Sequence, residues 1–317
     1  MEIFYTASPH LLQKSAIALG FFDGVHFGHQ AVINKAIETA KLKNIPNAVV
    51  TFKDHPRALT HGKSPLLLTT IEQRLKVFEE LKVEAVLILT FTEELCRLSA
   101  REYVQTVLID SVGAKHIAVG YNHHFGRRRE GNPEILSKFG TEMNFAVQIV
   151  NPVYIDGIEV SSSKIRECLE KADLETANKL LSRPFSLQGN VVHGDGRGAK
   201  LGFPTANLQI QPFQMIPANG VYAAKVRLID KTNEEIYYDA VLNIGNRPTF
   251  LSDTNTLPIV EVHILNFTGD LYGKNMEIYF YKYIRSEKKF SNTEELQKQI
   301  KADCLTASQA FATTNCV

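Results

Sequence analysis

Along the first 180 or so positions, short apolar runs alternate with stretches in which apolar side chains recur every three or four residues. The runs at 15–19, 48–52, 85–89, 116–119 and 146–150 read as strands. Between the second and third of them, Ile71, Leu75, Phe78 and Leu81 form one helical face, with Glu and Lys opposite. That rhythm predicts a parallel sheet with helical crossovers. A helix pair follows, capped at Ser161 or Ser162 and at Asp173, and ends at Arg183-Pro184. Beyond it the pattern changes: strands at 191–193, 222–229, 237–243, 259–265 and 276–284 are separated by Gly, Asn and Pro rather than by helices, which predicts a small antiparallel barrel. A terminal helix runs from 293 to about 310, with Ser291 and Glu294 as a capping box. The expected class is α/β, with a Rossmann-like parallel-sheet domain over 1–183 and a β-barrel domain with a terminal helix over 184–317.

In open parallel sheets ligands bind beyond the carboxyl ends of the strands, where 20–30, 53–57 and 120–129 would all fall. The first of these reads Gly-Phe-Phe-Asp-Gly-Val-His-Phe-Gly-His-Gln and joins a strand to a helix beginning near Gly28. A helix start leaves N–H groups unpaired and carries partial positive charge, so His26 and His29 would add donors to a phosphate site. Taken alone, the motif reads first as a strand-to-helix turn with two surface histidines. A second helix start, Ser161-Ser-Ser-Lys-Ile-Arg166, offers hydroxyls, N–H groups and the charges of Lys164 and Arg166, or simply an ordinary cap with exposed basic residues. The run Arg127-Arg128-Arg129 reads first as a solvated loop. Gly62-Lys63-Ser64 looks like the end of a P-loop, but Arg57 stands where the required earlier glycine would be.

The second half carries His193-Gly-Asp-Gly-Arg-Gly-Ala-Lys-Leu-Gly-Phe-Pro-Thr-Ala-Asn-Leu208. Gly194, Gly196 and Gly198 permit a loop that wraps an anion with N–H groups, and Arg197 and Lys200 add charge; a plain hairpin loop is the alternative. If the following segment is extended, Thr205 and Asn207 share a face and provide two oxygen ligands for Mg²⁺ against ATP phosphates. Glu261 interrupts an otherwise apolar strand and shares a face with His263; such a carboxylate is either structurally paired or kept as a base.

Composition narrows the choice of partners. In 317 residues, 35 Lys and Arg balance 34 Asp and Glu to a net charge of +1, which gives no basic field for a nucleic-acid backbone. The four cysteines, at 96, 168, 304 and 316, have neither metal-knuckle nor disulfide-framework spacing. With no leader pattern and no apolar run of bilayer length, the expectation is a cytoplasmic protein with reduced thiols, working without membrane or nucleic acid.

The His-x-Gly-His turn and the Ser-rich helix start together resemble the nucleotidyltransferase superfamily. Gly-Phe-Phe-Asp-Gly-Val-His-x-Gly-His, Thr-Phe-x-x-His-Pro-Arg, Gly-x-Asn-x-x-Phe-Gly and Ser-Ser-x-x-Ile-Arg look more closely like the FMN adenylyltransferase half of the bacterial bifunctional riboflavin kinase/FAD synthetases. The Gly-rich loop through Pro204-Thr-Ala-Asn207, Gly220-Val-Tyr-Ala223, Asn243-Ile-Gly-x-Arg-Pro-Thr-Phe250, Glu261-x-His and Ile284-Arg-x-Glu-x-x-Phe290 are similar to the riboflavin kinase half.

The resemblance implies ATP as co-substrate with Mg²⁺, and riboflavin, FMN and FAD as substrates or products. In adenylyl transfer the FMN phosphate is already anionic and needs no base, so His26, His29, Ser162 and Arg166 are expected to neutralise charge at the α-phosphate and on departing pyrophosphate. Gly20, Phe21, Asp23, Gly28, Ser161 and Lys164 join them around ATP; among the flavin-side residues Asn122 lies near the flavin or nucleotide, and His55 and Arg57 near the ligand phosphates. In the kinase half Glu261 is the expected base for the riboflavin hydroxyl, with Gly194, Gly196, Arg197, Gly198 and Lys200 on ATP, Thr205 and Asn207 on the metal, and Arg285 on the flavin. This chain departs from the family pattern at Asp54, at Ser163 and at Asn266. A flavin-binding regulator without turnover, or an adenylyltransferase for another phosphate ester, are the alternatives.

Overall fold

A computed structural model describes residues 1–54, 65–194, 196–229, 235–245 and 258–314. The chain divides into two compact units, Met1–Ser162 and Ser163–Val317.

In the first unit β1 (Glu2–Phe4), β2 (Ser15–Leu19), β3 (Asn47–Phe52), β4 (Ala85–Leu89), β5 (Ala114–Gly120) and β6 (Ala146–Val150) form a six-stranded sheet ordered β1-β4-β3-β2-β5-β6. Every neighbouring pair is parallel. The expected strands are present, and β1 adds an edge that three largely exposed residues could not announce. Strand β2 is buried along its whole length because both sheet faces are covered. Ile17, Leu19, Val50 and Leu87 pack with Val104 and Leu108 on one face, and Ala18, Val49 and Val86 pack with Ile33 and Phe78 on the other. From β2 the sheet runs to β3 on one side and to β5 on the other, so the strand order reverses there and opens a crevice beyond their carboxyl ends. Helices α1 (Phe27–Lys43), α2 (Ile71–Glu80) and α3 (Pro133–Met143) belong to this unit, as does the hairpin β7 (Tyr154–Ile155) with β8 (Ile158–Glu159).

The apolar stripe expected for α2 is only part of its inner face. Phe78 is fully buried, but Ile71, Leu75 and Leu81 are only partly so, and Arg74 is 0% exposed. Its guanidinium donates to the carbonyls of Phe21 (3.0 Å), Phe52 (2.8 Å) and Lys53 (2.9 Å) and lies 4.7 Å from the Phe21 ring centre. Burial lowers its pKa to about 10, while the nearby Asp23 carboxylate acts in the opposite direction. One buried cation thus fastens the chain leaving β2 to the chain leaving β3. Arg74→Met leaves those carbonyls without their donor and Asp23 without its neighbouring charge, so it should destabilise the fold by roughly 3–5 kcal/mol. Urea unfolding of the variant beside the parent checks this, and a loss below about 1 kcal/mol, the size of one net hydrogen bond, would contradict it.

The second unit begins within α4 (Ser162–Glu170), continues through α5 (Leu174–Leu181), and then builds β9 (Phe185–Val192), β10 (Ala206–Ile210), β11 (Gly220–Ile229), β12 (Tyr237–Gly245), β13 (Ile259–Ile264) and β14 (Asn275–Arg285). These close into an antiparallel barrel in the order β10-β13-β12-β11-β14-β9. Tyr222, Ala224, Val226, Val260, Ile278 and Phe280, each 0% exposed, fill its interior. The terminal helix α6 (Thr293–Thr314) lays Ala307 and Phe311 on Val221, Ala223 and Val241, outside the barrel.

Two expectations change here. Strand β9 starts at Phe185, well before 191, because Ser186 and Gln188 supply an outward polar alternation across the Pro184 boundary. The cap of α6 is Asn292, not Ser291: its Oδ1 accepts from Glu295 N at 2.9 Å, and the Glu295 carboxylate accepts from Ser291 N at 3.2 Å. The cap is shifted by one residue, since Asn, like Ser, reaches an N3 amide, and the returning bond from Glu295 goes to the residue before the cap.

Candidate functional site

Between β2 and α1 the backbone enters the left-handed region at Phe22 (φ 57°), Gly24 (83°) and Val25 (39°). Such conformations cost energy for a side-chain-bearing residue and persist only where surroundings impose them. The Asp23 carboxylate is one of the restraints: 3% exposed, it accepts from Leu68 N (2.9 and 3.1 Å) and from Thr69 N (3.1 Å) and Oγ1 (3.3 Å). Asp23 was expected beside ATP, but its charge is turned inward and used to fasten the loop. Its main-chain carbonyl accepts from Ser162 Oγ at 2.9 Å, which brings that hydroxyl to the histidine loop. The Phe21 carbonyl is held by Thr51 Oγ1 (2.9 Å) as well as by Arg74.

His26 is itself the N-cap of α1. Its Nδ1 accepts from His29 N at 3.2 Å, the task a Ser or Asp side chain usually performs, so the ring carries its proton on Nε2. The His26 and His29 rings stack at 3.6 Å and 15°. Gly28 between them is closely packed: a Cβ there would stand 3.2 Å from the His26 ring, which would have to give by a few tenths of an ångström, and 3.5 Å from the Val160 carbonyl. Two imidazoles therefore crown the positive end of a 17-residue helix whose first turn holds no acidic residue, an arrangement suited to an anion. On α4, Lys164 pairs with Glu167 at 3.0 Å, Ser161 immediately precedes the helix, and Arg166 lies one turn beyond Ser162.

The β5 exit adds groups that spacing did not single out. His123 stacks on Phe125 (6.1 Å, 19°), and its Nε2 is buried without a partner among the described residues. Burial first, then His124 and Arg129, push its pKa down to about 4, so the ring is neutral. Tyr103 approaches Phe125 from another side at 5.9 Å, with a buried hydroxyl likewise without a partner there. Asn122 is exposed at the head of this loop. Arg128 and Arg129 adopt φ 53° and 61° in a turn closed by the Phe125–Gly131 bridge. His55 and Arg57 lie outside the described residues, as does 62–64.

In the barrel, strand register makes the second constellation. Asn207 stands opposite Glu261, and Glu261 opposite Asn243, in one row across β10, β13 and β12. Val260 and Val262 point inward, so Glu261 and His263 face outward with that row. Gly194 and Gly198 matter by close approach. A Cβ on the first would stand 2.0 Å from Asn207 Nδ2, and on the second 2.4 Å from the Phe203 carbonyl and 3.0 Å from Thr205 Oγ1. The glycine loop is folded onto Thr205 and Asn207. Gly196 supplies the left-handed turn (φ 65°) that leads into the helical turn Arg197–Lys200. The side chains of Arg197 and Lys200 lie outside the described set.

His193 and Tyr272 stack at 3.8 Å near the same loop, a pairing across distant sequence that no spacing reveals. Arg285, expected on the flavin, makes a bidentate pair with Asp303 of α6 (Nε–Oδ1 3.0 Å, Nη2–Oδ2 2.7 Å) and donates from Nη1 to Ser286 O at 2.9 Å. Its guanidinium fastens β14 to α6. Among the described residues no group of three or more His, Cys, Asp or Glu side chains forms a metal cage. Thr205 and Asn207 each place a neutral side-chain oxygen beside the glycine loop.

Residues 8–164 match the family model described as FAD synthetase, and residues 181–311 match the riboflavin kinase model. A bifunctional riboflavin kinase/FMN adenylyltransferase of Bacillus subtilis is 35% identical over 319 residues, covering 98% of this chain and 99% of the relative. The chain belongs to the bifunctional riboflavin kinase/FMN adenylyltransferase family. A family member from Escherichia coli K12 is 36% identical over 94% of this chain and 93% of its own. Within the family match, the His26–His29 loop falls in the FAD synthetase region and the Asn207–Glu261–Asn243 row in the riboflavin kinase region. A crystal structure of a Streptococcus pneumoniae protein described as macrolide-efflux protein has TM-score 0.85 at 30% identity, covering 96% of this chain and 97% of that one. Efflux is said of that protein; here both family models agree with the curated relatives, and no described helix is long and apolar enough to cross a membrane.

Proposed function

We propose that the chain phosphorylates riboflavin to FMN on the barrel and adenylylates FMN to FAD at the edge of the parallel sheet, with ATP as donor in both steps. The division between the activities is drawn at 183/184, and the setting is the cytoplasm. The observation that carries this reading is the different placement of carboxylates. On the barrel Glu261 faces outward in register with Asn207, whereas at the sheet edge Asp23 is spent on backbone amides and two imidazoles stand at a helix start.

The two chemistries match that difference. The riboflavin 5′-hydroxyl is neutral; as its oxygen attacks the γ-phosphate and the bond to ADP breaks, its proton passes to Glu261. Thr205 and Asn207 would hold Mg²⁺, which when bound neutralises phosphate charge, and Gly194, Gly196 and Gly198 supply the backbone cradle. In the second step an FMN phosphate oxygen attacks the α-phosphate of ATP and pyrophosphate leaves, with no proton to remove. His26, His29 and Arg166 then act on developing charge, supported by Gly20, Gly28, Ser161, Ser162 and Lys164 around the triphosphate. Asn122, His55, Arg57 and the neutral His123–Phe125–Tyr103 cluster are assigned to the flavin side, and Arg285 acts through its tie to α6.

Incubation with riboflavin, ATP and Mg²⁺, followed by separation of fluorescent products, should show FMN first and FAD after it. Absence of both would leave a flavin-binding regulator as the reading, and FMN without FAD would move the adenylyl acceptor to another phosphate ester.

A further inference from the structure

The ladder between β10 and β13 runs from Leu208↔Val260 to Ala206↔Val262 and stops there. The next position would pair Thr205 with His263, but Pro204 has no N–H to contribute, and the chain turns away toward the glycine loop. A side chain continues the tie where the backbone cannot. His263 Nδ1 donates to the Pro204 carbonyl at 2.8 Å, and its ring meets Phe203 edge to face at 5.6 Å. A carbonyl can only accept, so the proton on Nδ1 is fixed by this contact.

The anchored segment is the one that matters for the phosphates. Phe203 and Thr205 are the groups against which Gly198 is packed, and Gly202 N and Phe203 N donate to Ala199 O (3.1 Å) and Gly198 O (2.9 Å). His263 in turn lies two residues from Glu261 on the same outward face of a strand that is hydrogen-bonded on both sides. One ring therefore spans from the strand that carries the proposed base to the turn that carries the proposed phosphate and metal ligands. We propose that His263 is a positioning residue for phosphoryl transfer: its bond to Pro204 fixes Thr205 and the glycine loop at a set offset from Glu261. The inference rests on the kinase reading of that row.

The bifunctional chain contains its own control, because FAD formation from supplied FMN is assigned to the edge of the parallel sheet and not to the barrel. His263→Phe keeps an aromatic edge against Phe203 and removes the donor, whereas His263→Asn places an amide nitrogen close to where Nδ1 stands. With protein shown to be folded by its unfolding midpoint, His263→Phe should lower riboflavin kinase kcat about tenfold, the scale of one lost hydrogen bond, and raise KM for ATP. Most of kcat should return in His263→Asn, and adenylylation should be unchanged in both. A purely structural role would lower the unfolding midpoint while leaving kcat and KM per folded molecule as they were. Unchanged kinetics in His263→Phe, or equal loss in the two variants, would overturn the proposal. Undiminished FMN formation by Glu261→Gln would instead overturn the base assignment, so the two failures are told apart.

Discussion

Replacing Glu261 with glutamine should reduce FMN formation by about 10²–10⁴-fold, the usual worth of a positioned general base, while FAD formation from supplied FMN continues. The amide keeps the shape and much of the hydrogen bonding of the carboxylate, so the barrel should remain folded. The position is also forgiving: Glu261 is half-buried on the outer face, and the closed interior of Val260, Val262 and Ile278 does not depend on it. Product separation with riboflavin in one assay and FMN in another measures both steps on the same preparation. Loss of both activities in folded protein would contradict a two-site enzyme.

The complementary result is expected for His29→Ala: FAD formation falls by about 10²–10³-fold, the range seen when one transition-state donor is removed, and riboflavin phosphorylation is spared. The cap of α1 survives this change, because the bond to His26 Nδ1 comes from the His29 backbone amide and not from its ring. What disappears is the stacked imidazole 3.6 Å away. The defect should therefore appear in kcat for adenylylation, with the unfolding midpoint little moved. If FMN formation fell in parallel, the histidines would be structural for the whole chain.

Much of the architecture could be read from periodicity, because both sheets impose a strong one. Strands β2 and β4 are buried on both faces and read as apolar runs, unbroken in β4 and from Ala16 onward in β2, and β13 alternates as a barrel wall must. The strands that escaped were those whose identity comes from a neighbour. Glu2–Phe4 is a strand because Ala85–Leu87 lies beside it, and Ala206–Ile210 is fixed by partners on both sides. The site residues divide in the same way. His26, His29 and Glu261 stand out because histidine pairs at a helix start and a carboxylate in an apolar strand are unusual. Asp23 and Arg74 gave no hint of their use: a buried ion whose partners are backbone groups 21 to 53 positions away leaves no trace in side-chain spacing. Arg285 illustrates the reverse case, since its pairing with Asp303 becomes visible only when α6 is seen against β14.

The row Asn207–Glu261–Asn243 has a consequence for how this barrel can change. Successive side chains on a strand alternate between lumen and exterior, so adding or removing one residue within β13 ahead of Glu261 would turn that carboxylate into the hydrocarbon interior and bring Val260 or Val262 out in its place. Where β11 pairs with β14 single-residue irregularities are absorbed at Val221/Tyr222 and Ala223/Ala224, whereas β13 keeps an unbroken register with both of its neighbours. The proposed kinase row is thus guarded by parity: a frame of odd and even positions separates its outward surface from a packed one, and a single slipped residue in β13 exchanges them.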